Sequence, residues 1–295
     1  MSEQQCDVGR GINLTYETFG DPSDPTALLI MGLGMQMVAW QEDFCLELAG
    51  RGFHVVRFDN RDVGHSTHMQ GPAPSIAQLI LRPKRFARYT LADMAEDTAG
   101  LLSRLELAPA HVIGASMGGM IAQTLAARHP EQVRSLVSIM SNTGNIRSGQ
   151  PALRVYSIFL RRAPQGRDAF IAHMERVFGV IGSRGLPRDP QDMHETAALS
   201  YDRDHDPAGP GRQLAAIIAA GDRTAELRRI SAPTLVIHGT ADPLRPLPHG
   251  QALAAQITQA RLEAVHGMGH GFFSPGLPRH IGESILSNTQ PPSGT

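Results

Sequence analysis

A series of short apolar runs recurs along the chain: ALLIM (27–31), HVVRF (54–58), HVIGA (111–115), SLVSIM (135–140), TLVIHG (234–239) and RLEAV (261–265), each bounded by turn residues. Runs of this length suit strands covered on both faces, as in a mostly parallel sheet. INLTYETF (12–19) alternates apolar and polar positions instead, which predicts a half-exposed antiparallel strand. Between the runs the period changes. TLADMAEDTAGLLSRLEL (90–107) places Leu91, Met94, Thr98, Leu101, Leu102 and Leu105 on one helical stripe. MGGMIAQTLAAR (117–128) leads to Pro130, which stops a helix near its preceding residue. Strands alternating with helices predict an α/β layer fold, a mostly parallel central sheet flanked by helices.

The alternation lapses from about 144 to 221. Phe170, Met174, Val177, Phe178 and Ile181 make one apolar stripe there, SRGLPRDPQD (183–192) and DRDHDPAGPGR (202–212) read as loops, and no strand is predicted. A segment that long without a strand is expected to fold over something. The expected organisation is a core of residues 1–143 and 222–295 with an inserted helical cap over 144–221. Residues 68–89 form a second irregular stretch, with Ile76, Leu79, Ile80 and Leu81 in a short helix and RPKR facing solvent.

Composition excludes several classes of function. The 295 residues, 41% apolar and 19% charged, are ordinary for a soluble globular protein. A formal charge of −1 offers no electrostatic footprint for nucleic acid or an anionic membrane. No apolar stretch approaches the about 18 residues of a membrane span, and the start lacks the basic end and apolar run of a signal peptide. A cytoplasmic protein without nucleic-acid or membrane partners is expected, as monomer or homodimer. Cys6 and Cys45 are too few for a disulfide framework and read as structural thiols.

One string carries chemistry. Gly114-Ala115-Ser116-Met117-Gly118 lies between a predicted strand and a predicted helix. That context presents a serine on a tight elbow at a helix N-terminus, with glycines permitting close packing on either side. A serine hydroxyl needs a base to remove its proton, and the base needs an orienting acid. In this architecture the acid and then the base follow later strands. TLVIHGTADPLRP delivers Asp242 past one strand, and RLEAVHGMGHGFF delivers His270 past the next. Ser116, Asp242 and His270 are therefore the expected catalytic set.

A tetrahedral oxyanion needs backbone donors. Met117 supplies one N–H; the loop MGLGMQMVAW (31–40) supplies the other from Leu33, or alternatively Gly34. Gly32 and Gly34 let that loop approach a substrate. His65, Phe159, Phe170, Met174 and Phe178 are candidate substrate contacts. His238 reads as a supporting or core residue, and Gly267 and Gly269 argue against a metal-binding helix through His266 and His270. Asp204, His205 and Asp206 read as a solvated loop. No metal and no cofactor are expected.

These strings make the chain resemble an α/β-hydrolase from residue 12 to about 288: GASMGG, HGTADPLRP and GMGHGF match the nucleophile, acid and base patterns of that family. FDNRDVGHS (58–66) is similar to its D-x-R-G-x-G-x-S stretch, which implies that Asp59, Arg61 and Gly64 brace the oxyanion loop. LLIMGLGMQMVAWQEDFCLELAGRGFHVVRFDNRDVGHST and the GMGH ending resemble aclacinomycin methylesterase-like, polyketide-tailoring esterases. Met31 replaces the His of many relatives, a departure shared with those esterases, whereas segment 68–89 is longer here and the cap shows no match. The resemblance implies a cofactor-independent serine esterase acting through an acyl-enzyme on Ser116, with a neutral, apolar small-molecule ester as substrate, a methyl ester among the options. The same triad also serves lactonases, carbon–carbon bond hydrolases and perhydrolases, and a ligand-binding receptor can occupy the same fold.

Overall fold

The continuous apolar runs become the middle of one eight-stranded sheet. The computed structural model describes residues 2–159, 164–187 and 189–289, the side chains at 80, 157, 159 and 190 excepted. Its strands are β1 (Gln4–Asp7), β2 (Asn13–Phe19), β3 (Thr26–Ile30), β4 (His54–Phe58), β5 (Ala110–Ala115), β6 (Val133–Ile139), β7 (Thr234–Gly239) and β8 (Arg261–Val265), in the order β1-β2-β4-β3-β5-β6-β7-β8. Strands β3 to β8 pair in parallel; β1 and β2 run antiparallel at one edge.

Every residue of β3, β4, β5 and β7 is buried. Alternate side chains of one strand enter different cores: Leu28 and Ile30 face one side, Ala27 and Leu29 the other. With both faces covered, no polar alternation survives in the sequence. The half-exposed reading of β2 needs correcting, because Glu17 is also buried, held by Arg57 at 2.6 Å. Strand β1 was not expected. Its QQCD has one buried residue, Cys6, and its place depends on backbone pairing with β2 rather than on apolar burial.

The helices are α1 (Glu42–Ala49), α2 (Ile76–Leu81), α3 (Pro83–Phe86), α4 (Leu91–Arg104), α5 (Met117–Arg128), α6 (Leu153–Phe159), α7 (Arg167–Ile181), α8 (Pro190–Arg203), α9 (Gly209–Ala220), α10 (Thr224–Leu227), α11 (Pro248–Gln256) and α12 (Leu277–Thr289). Thr90 and Asp93 close a reciprocal capping box that fixes the start of α4, and the predicted stripe below it is buried except for the half-buried Leu105. Among the described residues between β6 and β7 there are helices and no strand. Residues 190–192 and 209–212 are helical, against the loop reading. Proline at the first turn of α8 and α9 lacks only an N–H that would be unpaired there, so it starts a helix rather than breaking one.

The helical insertion is seated on the core by charged and polar bonds. Arg203 of α8 reaches Asp59 at 2.8 Å and Glu3 at 2.7 Å, and it also meets Gln36. Arg212 of α9 donates to both oxygens of Asp62, at 2.7 and 3.0 Å, and to Asp206. Asp62, His68 and Asp206 bring ligand-type atoms within 4.8 Å of one another, yet Arg212 answers both carboxylates. Residues 204–206 are thus a seam rather than a solvated loop: Asp204 and Asp206 meet His68, and the His205 ring packs on Phe170 and Tyr201. Cys6 and Cys45 are free and buried, and burial pushes the Cys45 thiol up to about 12. No helix of the described residues is long and apolar enough to cross a membrane.

Candidate active site

Strand β5 ends at Ala115 and α5 begins at Met117, so a single residue turns the chain. Ser116 does so with φ 54° and ψ −112°, a conformation that costs a non-glycine residue roughly 1–3 kcal/mol. Packing enforces it. A Cβ on Gly114 would strike the Gly118 carbonyl, and one on Gly118 would strike the Ile30 carbonyl. Only glycines let α5 stand this close to β3 and β5. The Ser116 N–H donates to Ile139 at 2.9 Å, and its carbonyl accepts from Ser141 Oγ at 2.9 Å. No acidic residue occupies the first turn of α5, so the positive end of the helix faces the hydroxyl unneutralised.

The loops after β7 and β8 bring Asp242 and His270 to this serine. His270 Nε2 lies 2.9 Å from Ser116 Oγ, and its Nδ1 lies 2.7 Å from Asp242 Oδ2. The other Asp242 oxygen accepts from the Leu244 and Arg245 N–H groups, both at 2.8 Å. A carboxylate at Nδ1 holds the ring proton there and turns the Nε2 lone pair towards the hydroxyl. An array of this kind can take the proton of the serine as its oxygen bonds to carbon, and return it to a departing group. His238, from the end of β7, donates through Nε2 to the Arg245 carbonyl at 2.7 Å and so braces the Asp242 turn. Burial lowers the pKa of its ring from the usual histidine value.

The loop after β3 completes the site. The position of a Cβ on Gly32 would lie 3.2 Å from Ser116 Cβ and 3.9 Å from Met117 N. The next residue, Leu33, packs against the apolar cluster that includes Met117. Among the described residues no acceptor meets the N–H of Leu33 or of Met117. Gly34 differs: its N–H donates to Gln213 Oε1 at 2.8 Å. Asp59 braces the same loop by accepting from the Met37 N–H at 2.7 Å, while the Arg61 guanidinium turns away to Asp97.

The remaining candidates divide. His65 is held by Glu3 at 2.6 Å and the Arg203 carbonyl at 2.7 Å, so neither ring nitrogen is left for a ligand. Phe170 packs on Tyr201 and His205 within the insertion. Phe178 packs against Phe273 and along Gly271, beside His270. It lines a cavity of about 280 Å³ together with Met193, Gly271, Phe273 and the carboxylate-bearing Glu175 and Asp189. The cavity adjoins His270 without including Ser116, and Met174 is not in its wall. The Phe159 side chain lies outside the described residues.

Several supports carry no motif. His270 N–H donates to the Ile181 carbonyl at 2.7 Å, and Gly269 N–H donates to Ser183 Oγ at 3.0 Å, so the end of α7 holds the histidine loop. Phe272 stacks on Trp40, 4.9 Å between centroids, joining that loop to the one after β3. The one signal available was the polar pair Arg212-Gln213 in the otherwise apolar start of GPGRQLAAIIAA. Buried polar groups require partners, and such a pair predicts them.

Known proteins share this arrangement of chain. A model of the alpha/beta hydrolase fold matches residues 25–276. A rhodomycin D methylesterase of Streptomyces sp. (strain C5) is 27% identical over 295 residues, covering 94% of this chain and 93% of that protein. A 3-oxoadipate enol-lactonase of Acinetobacter baylyi is 27% identical over 259 residues, covering 88% of this chain and 86% of that protein. The crystal structure of a hydrolase from Pseudomonas aeruginosa PA01 superposes with a TM-score of 0.71 at 24% identity, covering 98% of each chain.

Proposed function

The chain belongs to the alpha/beta hydrolase family, and from that premise we propose that it is a cofactor-independent serine hydrolase cleaving a carboxylic ester. The observation that carries the reading is the single imidazole placed 2.9 Å from Ser116 Oγ and 2.7 Å from Asp242 Oδ2. Ser116 Oγ attacks the ester carbonyl while His270 Nε2 takes its proton. The Leu33 and Met117 N–H groups receive the developing oxyanion. On collapse His270 returns the proton to the leaving alkoxide, and the alcohol departs from an acyl-enzyme. Water attacks that carbonyl with His270 again as base, and the acid leaves as Ser116 regains its proton. Every proton moves between water, substrate and groups of the chain, so the cycle requires no cofactor.

Phe178, Met193 and Phe273 beside His270 favour a neutral, apolar group, and Glu175 and Asp189 oppose an anionic one. The similarity to a rhodomycin D methylesterase supports a methyl ester as one such substrate. The test is steady-state turnover of neutral aryl and methyl esters against esters whose acyl part bears a free carboxylate, with an aryl phosphonate to label the nucleophile. Labelling at Ser116 and at least tenfold higher kcat/KM for the neutral series are expected. A preference for the anionic series would overturn the substrate class, and labelling elsewhere would overturn the nucleophile. A clamp for such anions would then be sought at Arg147 and Arg154; the third arginine of that stretch, Arg162, lies outside the described residues.

Leu33 provides a separate check on the oxyanion donor. Leu33→Ala keeps the N–H and is expected to hold kcat within about tenfold, whereas Leu33→Pro deletes it and is expected to cost about 10²–10³. Circular dichroism and phosphonate labelling of Ser116 guard against a distorted loop. A folded Leu33→Pro protein with near-normal kcat would place the donor elsewhere.

A further inference from the structure

The insertion reaches the loop after β3 at Gln36, whose side chain meets Arg203 and the Ser200 and Asp204 carbonyls, and nearer the elbow at Gly34. That loop turns between Gly32 and Met35, closed by the Met35 N–H to the Gly32 carbonyl at 3.2 Å. Gly34 sits at its third position with φ +69°, where such a turn demands the left-handed region. Two residues of α9, three apart on one face, meet this glycine from above. Pro210 would touch a Cβ there at 3.2 Å, and Gln213 Oε1 accepts the Gly34 N–H at 2.8 Å. The Gln213 amide nitrogen donates to the Arg61 carbonyl at 2.8 Å, on the loop after β4. Gln213 has no exposed surface. A buried amide that satisfies one donor and one acceptor on two separate core loops fixes the distance between them, and only one side-chain length does so.

We propose that Gln213 is a positioning residue through which the helical insertion sets the oxyanion donor: by engaging the Gly34 N–H it holds the turn that carries the neighbouring Leu33 N–H, the donor proposed above. The inference rests on the serine-hydrolase reading above. It assigns Gly34 a structural use that withdraws it from the oxyanion and leaves that task to Leu33. It also makes the chemistry depend on the seating of α9, since a displaced helix frees the Gly34 N–H and loosens the turn. No substrate contact is required of Gln213, so its loss acts on the tetrahedral stage rather than on ester binding.

Gln213→Leu deletes both bonds at similar volume, and Gln213→Glu keeps the acceptor facing Gly34. Each is measured for kcat per Ser116 titrated with an aryl phosphonate, for KM, and for thermal melting. The expected result for Gln213→Leu is a fall of about tenfold or more in kcat per titrated site, below the 10²–10³ of a lost donor. Its KM should stay within twofold and its phosphonylation rate should fall in parallel with kcat. Gln213→Glu, which keeps the acceptor for the Gly34 N–H but sets a carboxylate oxygen against the Arg61 carbonyl, is expected to fall between Gln213→Leu and the unaltered protein. If Gln213→Leu proves insoluble, Gln213→Asn, too short to span both loops, takes the same measurements. Unchanged kcat per titrated site, or a loss carried by KM, overturns the proposal, because a merely structural residue would lower melting temperature and the titrated fraction alone. An unaltered protein that is not labelled at Ser116 overturns the hydrolase reading instead, so the two failures are distinct.

Discussion

Ser116→Ala is expected to fold as the unaltered chain does and to lose at least three orders of magnitude in kcat. The elbow is held by bonds the substitution leaves in place: the Ser116 N–H to Ile139, the Ser116 carbonyl to Ser141, and the glycine contacts to β3 and β5. The one side-chain bond removed is the 2.9 Å contact to His270. Removing the nucleophile of such a set costs up to about 10⁶ in kcat, with a residue of catalysis left by the oxyanion donors. Circular dichroism and thermal melting establish the fold, and turnover of an aryl ester gives the loss. A folded variant that keeps more than about 1% of kcat would remove Ser116 from the mechanism.

Asp242→Asn carries the second large effect, up to about 10⁴ in kcat. The asparagine oxygen can keep the bonds from the Leu244 and Arg245 N–H groups, so the turn survives. Its amide then faces His270 Nδ1 with a donor where an acceptor stood. The ring answers by moving its proton to Nε2, and Ser116 loses its base. His238 cannot substitute: its Nε2 is spent on the Arg245 carbonyl, and it stands 4.0 Å from Asp242 Oδ2. Steady-state kinetics over pH, on protein still labelled slowly by phosphonate, test this. Retention of most of the activity would move the acid to another residue.

The sheet was readable because burial on both faces leaves unbroken runs such as LLI at 28–30 and VVRF at 55–58, which little else produces. The elbow was readable for a different reason: a tight turn between strand and helix tolerates few residue types, so its spelling is constrained. Asp242 and His270 followed from their places after successive strands. What escaped were features that no local apolar period records. QQCD becomes β1 only because β2 offers an edge. His65 lies in a stretch that looks functional, yet Glu3 and Arg203, far along the chain in either direction, engage both its nitrogens. Residues 209–212 look like a loop from their two glycines and one proline, although proline is at home in a first helical turn. The seam of Arg203, Arg212 and Gln213 pairs polar residues across the insertion, and no local period records such pairing.

The serine and its histidine are separated by 154 positions, with the helical insertion between them. On a ribosome adding about 5–20 residues per second, roughly 8 to 30 s pass between the emergence of the two. During that interval the elbow can form on the early strands while its hydroxyl has no base, because β8 and the loop beyond it do not yet exist. The nascent chain therefore carries that serine without its base throughout the interval. On the serine-hydrolase reading proposed above, competence to attack esters arrives only when β8 has joined the sheet edge and the loop after it delivers His270 to the serine.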